Sequence, residues 1–205
     1  MFPLKVKRST FNVQHSTLRR SCFLILFFVM LASCGNTENT YTTGTTFFVF
    51  NNSTHQDATL ASAMNSTSPG VFCIITKGAG AGGSTVFSFK NNQGLSSSKT
   101  ANAVDLRRTS ILGYNNAIIV GFGNLDMPAV FYAYDRECPN CFDPDMLPMK
   151  SKPLSISNDG IATCSVCHRK YNLNTGGNII SGDAGKSLTR YRAATTGGYG
   201  VLTVN

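Results

Sequence analysis

The stretch that decides the fold is AIIVGFGNLDMPAVFYAYDRECPNC, residues 117 to 141. Its two apolar runs, residues 117–123 and 129–135, are rich in β-branched and aromatic residues, and Asn124-Leu125-Asp126-Met127-Pro128 carries the turn chemistry between them. This predicts a hairpin of two buried strands. The second strand runs through Asp135-Arg136-Glu137 straight into Cys138-Pro139-Asn140-Cys141. Another such pair, Cys164-Ser165-Val166-Cys167, follows after a spacer of 22 residues. A Cys-x-x-Cys turn aims two thiolates at one point, and two such turns at this separation match the spacing of zinc ribbons and rubredoxin-like knuckles.

Working outward, the rest of the chain reads as further strands. Residues 45–50, 71–76 and 84–90 are short apolar or alternating runs, and residues 186–192 and 199–204 are short strands among glycines. Residues 57–64 carry Leu60 and Met64 at helical spacing but read equally as a loop, and residues 91–105 are polar enough to predict an exposed loop. No stretch sustains helical periodicity, so the expected class is all-β. Residues 77–83 formally satisfy G-x-G-x-x-G, but a strand follows where a dinucleotide site needs a helix, so they are expected to be a hairpin loop.

A chain of 205 residues, 42% hydrophobic and 14% charged, suits one domain with a true core. The formal charge of +8 suggests an anionic partner, yet Lys5, Lys7, Arg8, Arg19 and Arg20 all precede residue 34 with no acid beside them. The remainder holds 13 basic against 10 acidic residues, which argues against a nucleic-acid binder. Those five charges read as the n-region of an export signal, and the apolar run of 11 residues at 22–32 is too short to span a bilayer as a helix.

That run ends in Leu31-Ala32-Ser33-Cys34, which resembles the bacterial lipobox. The resemblance implies a lipoprotein signal peptide over residues 1–33, lipidation of Cys34, and an anchor with a polar tether over residues 34–42. It also implies a place on the bacterial envelope, at the outer membrane or periplasmic face, with the membrane as partner through the anchor. Arg19-Arg20-Ser21-Cys22-Phe23-Leu24 resembles a twin-arginine signal, with the general export route as the alternative.

The run ending in the first cysteine pair, then GIATCSVCHRKYNLNTGG (160–177) and SGDAGKSLTRYRA (181–193), resembles the cluster-binding half of Rieske domains. Tyr171, Leu173, Thr175, Gly176, Leu188 and Tyr191 carry the trailing part of the pattern. The resemblance implies a Rieske-like β-sandwich or barrel over residues 43–205, with a rubredoxin- or zinc-ribbon-like metal-binding subdomain at about 135–182. The departures fall on the ligands. Asn140 stands in place of the first histidine, Cys167 in place of the second, and Asp183 in place of a shielding proline.

The expected metal ligands are therefore Cys138, Cys141, Cys164 and Cys167, and His168 is expected to face away. Four outcomes stay open for these thiols: a zinc ion, a Cys-ligated [2Fe-2S] cluster, a mononuclear iron, or two disulfides. The functional expectation is a structural or binding module holding zinc. Its alternative is an electron-transfer protein with a redox or envelope protein as partner. Hydrolysis lacks a constellation, with His15 in the signal, His55 in a polar stretch, and Asp143 and Asp145 reading as a turn around Pro144.

Overall fold

In the computed structural model, residues 41–42 and 46–205 are described. The expected signal, Cys34 and most of the tether lie outside the described residues. Among the described residues thirteen antiparallel strands form three sheets. The largest holds six strands in the order β11 (Arg190–Tyr191), β6 (Phe131–Asp135), β5 (Ala117–Phe122), β2 (Phe72–Ala79), β3 (Thr85–Asn91) and β4 (Ser96–Thr100). The decisive hairpin is thus its centre, with Ile119 opposite Tyr134 and Gly121 opposite Tyr132.

Around β5 and β6 both faces of this sheet are covered, which explains why these strands read as unbroken apolar runs. One face, with Ile75, Phe87, Phe89, Ile118 and Val120, packs on Phe48, Phe50, Leu202 and Val204. Those partners belong to a three-stranded sheet of β1 (Phe48–Asn51), β13 (Val201–Val204) and β12 (Ala193–Thr195). Phe48, Phe50, Phe87 and Phe89 interlock, with ring centroids 5.2–5.6 Å apart between sheets. The opposite face, with Phe72, Ile119, Tyr132 and Tyr134, packs on Leu154, Ala162, Tyr171 and Leu173. The first three come from a four-stranded sheet of β7 (Leu154–Ile156), β8 (Ile161–Cys164), β9 (Lys170–Asn172) and β10 (Asn178–Ser181), which carries the second cysteine pair, and Leu173 opens the 3-10 turn that follows β9.

Three short helices lie among the strands: α1 (Asn52–His55), α2 (Ala58–Ala63) and α3 (Ala103–Leu106). The ambiguous segment around Leu60 is therefore helical. Asp57 caps it by accepting the Leu60 N–H at 2.9 Å, and Leu60 and Met64 are buried in the first core. The glycine-rich segment does lead into a strand, β3.

Residues 91–105 correct the expectation of a loop, since they hold β4 and all but the last residue of the single-turn α3. The Asn91 carboxamide accepts the N–H groups of Gln93 and Leu95, turning the chain back on itself. β4 is an edge strand whose exposed side chains are Ser96, Ser98 and Thr100, with Ser97 and Lys99 between them, so no apolar alternation marks it in the sequence. His55 also departs from expectation. Its side chain is only 7% exposed, bonds Asp105 at 2.7 Å and stacks on Phe50. Asp105 and Asn102 form the capping box of α3, so the histidine pins that helix to β1, and its ring contacts include no nucleophile.

Candidate metal centre

Each cysteine pair sits at the end of a strand that the core holds rigid. β6 delivers Cys138, and its register continues through Glu137, whose carboxylate accepts Asn115 Nδ2 at 2.7 Å and Ser151 Oγ at 2.6 Å. It also accepts the Lys152 N–H. This buried carboxylate ties both flanks of the loop that follows the first pair. Within that loop Asp143 accepts the Asp145 N–H, making the expected turn. Pro139 presets the backbone of the first turn, which closes when the Cys141 and Phe142 N–H groups bond the Cys138 carbonyl.

β8 delivers Cys164 in the same way. The His168 N–H bonds the Cys164 carbonyl at 3.1 Å, and His168 itself takes a left-handed backbone, φ +57°. That conformation reverses the chain toward β9 and leaves the imidazole exposed, outside the ligand cluster.

The two turns bring Cys138, Cys141, Cys164 and Cys167 together, with all four sulfurs within 4.8 Å of one another. Cys138 and Cys167 Sγ are 3.7 Å apart and Cys141 and Cys164 Sγ 3.9 Å. These are non-bonded separations, so the cysteines are free thiols and the disulfide alternative gives way. Cys138 and Cys164 are buried, while Cys141 and Cys167 are half-buried.

Backbone N–H groups point at the sulfurs from within each turn. The Val166 N–H bonds Cys164 Sγ at 3.4 Å, and the Asn140 and Arg169 N–H groups do the same for Cys138 and Cys167. Burial pushes the Cys138 thiol up, and likewise Cys141, to about 12 with neighbouring thiols adding to the effect. Burial also acts upward on Cys167, but the backbone and guanidinium of Arg169 outweigh it and bring this thiol down to about 6. Cys167 therefore ionises readily, whereas Cys138 and Cys141 need a cation to balance their charge.

No protein-family model matches the chain, and no curated protein matches it either. The local sequence pattern nonetheless made all four clustered cysteines visible. What it did not make visible is the shell around them. Asn140, which takes the place of a histidine in the resemblance, donates from Nδ2 to the Tyr171 hydroxyl at 2.9 Å and to the Lys186 carbonyl at 2.7 Å. The Lys186 N–H returns a bond to Asn140 Oδ1. Arg169 donates to the carbonyls of Asp183 and Ala184, so residues 182–186 are strapped against the first cysteine turn. Gly185 permits this approach, because a Cβ there would meet Asn140 Oδ1 at 2.5 Å.

The donor set fits a soft, tetrahedral cation. Four thiolates would hold it, and the turn N–H groups, Arg169 and the Tyr171 hydroxyl would spread their negative charge.

Proposed function

We propose that this chain is a membrane-anchored module whose Cys138, Cys141, Cys164 and Cys167 hold one structural zinc ion. The carrying observation is the sulfur spacing. Four ligands around one ion at a metal–sulfur distance of ~2.3 Å lie ~3.8 Å apart along each tetrahedral edge. Cys138–Cys167 at 3.7 Å and Cys141–Cys164 at 3.9 Å agree with that edge. In a [2Fe-2S] cluster the iron–iron vector separates the two sulfur pairs further, which sits poorly with four sulfurs inside 4.8 Å. The closed ligand set leaves no position for substrate, as befits a structural rather than a catalytic ion. Its role is to fix two loops that carry little core of their own.

The Rieske-like reading belongs to the same proposal. In support, a strand leads into each cysteine loop, and residues 182–186 pack against the first pair where the family's pattern carries its shielding loop. The Cys34 lipobox supports anchoring at the envelope, with the membrane as partner.

Electron transfer through an iron centre with a redox partner is the second reading. It draws on the half-buried Cys141 and Cys167 and on the N–H and O–H donors around the sulfurs, which tune iron potentials in such sites. Metal analysis with a visible absorbance spectrum of the purified protein separates the two. About one zinc per chain and no visible band is the expected result, whereas stoichiometric iron with charge-transfer bands would replace the structural reading by the redox one.

A further inference from the structure

The four-stranded sheet covers only part of the second face of the six-stranded sheet. Beyond its edge strand β7 the face stays open, and two adjoining cavities of about 460 and 300 Å³ lie there. Ile74, Lys90 and Arg136 line both. Strand register explains the chemistry of this floor. Ser98 lies opposite Ser88, which lies opposite Thr76, and Ser96 lies opposite Lys90, which lies opposite Ile74. One row of three hydroxyls, and beside it a row of one hydroxyl, one ammonium group and Ile74, thus run across three strands on the side that Arg136 also lines, and no carboxylate lines either cavity.

Arg136 is the unusual member. Its Nε is buried and has no hydrogen-bond partner among the described residues. The acids beside it in sequence are turned away and already occupied. Asp135 accepts from Tyr114, Glu137 and Tyr191, and Glu137 accepts from Asn115, Ser151 and Lys152. No carboxylate among the described residues forms an ion pair with this guanidinium, so its charge is available to an anion in the cavities it lines.

We propose that this groove is a binding site for a small ligand bearing a tetrahedral oxyanion, a phosphate or sulfate group. Arg136 and Lys90 supply the charge, and Ser88, Ser96 and Ser98 supply hydroxyl donors. The combined space is of the size that small-molecule sites occupy. This site stands independently of what the cysteines hold.

The test is calorimetric titration of the full-length protein with inorganic phosphate and, separately, with sulfate, against chloride at matched ionic strength. Saturable binding of either oxyanion, absent with chloride, is expected. Lys90→Gln and Arg136→Gln are each expected to weaken it roughly tenfold or more. Arg136 adjoins the first cysteine turn, so Lys90→Gln on β3 serves as the variant remote from it, and metal content with circular dichroism checks that both remain folded. Absence of saturable binding, or unchanged binding in a folded Lys90→Gln protein, overturns the proposal.

Discussion

The Tyr171 hydroxyl lies 3.4 Å from Cys138 Sγ. Because that oxygen already accepts from Asn140, its own proton is free to point at the sulfur. The contact lets β9 sense the first cysteine turn directly. Tyr171→Phe keeps the buried ring and removes only the donor. It is expected to weaken metal retention about tenfold, as loss of an outer partner does in other metal sites. Competition with a chromophoric chelator, wild type against variant, reads this out, and equal retention would show that the hydroxyl does not tune the sulfur.

Ligand and non-ligand residues beside one another give a sharper contrast. Cys164→Ser is expected to abolish metal binding and lower stability by about 4 kcal/mol or more, since loss of a structural metal ranks among the largest single-site effects. His168→Gly, only four residues on, should keep full metal stoichiometry. Glycine suits φ +57° better than histidine does, and its greater freedom when unfolded offsets the gain, so stability should move by no more than about 1 kcal/mol. Metal analysis and thermal melts on the two variants decide between these roles.

Cys73 should behave unlike the other described cysteines. It is wholly buried in the first core, and burial raises its thiol well above the ordinary range. A thiol reagent added with a strong chelator is expected to label Cys138, Cys141, Cys164 and Cys167 while Cys73 reacts only on unfolding. Peptide mapping by mass spectrometry identifies the labelled positions, and early labelling of Cys73 would mean that metal loss opens the whole domain.

Asp135 sets a pH dependence. Burial raises its carboxyl above the ordinary value, although the Tyr114 and Glu137 N–H groups and the Tyr191 hydroxyl pull it back. A raised folded pKa contributes stability that is fully present below the unfolded value, near ~3.9, and is lost as pH rises through the folded one. Asp135→Asn opposes an amide to donors that now meet oxygen, and should cost about 1–3 kcal/mol at acidic pH and less as pH rises. Urea unfolding of both proteins in the same metal-free state across this range measures the difference. A gap that widens with pH would reverse the sign assigned to Asp135.

The all-β class and the cysteine cluster were legible because their signals are local. Unbroken apolar runs such as residues 117–122 report burial on both faces, and Cys-x-x-Cys fixes two ligands within one turn. β4 was not legible, because edge strands keep polar side chains and draw their order from a neighbour. The His55–Asp105 pair joins residues 50 positions apart, and the Asn140–Lys186 bonds residues 46 apart. No spacing rule reaches across such gaps. Only the completed register of the sheets brings these partners together.

The cysteine turns also bear on the order in which the chain finds its shape. The two most distant ligands, Cys138 and Cys167, are 29 residues apart, and β7 to β10 pair only with sequence neighbours. By contrast, β1 must wait for β13, at the far end of the chain. Short loops close at lower entropic cost than long ones, and local contacts form sooner. A cation captured by the four thiolates would therefore organise β7 to β10 as an early nucleus, onto which the hairpin of β5 and β6 and finally the β1–β13 pair assemble.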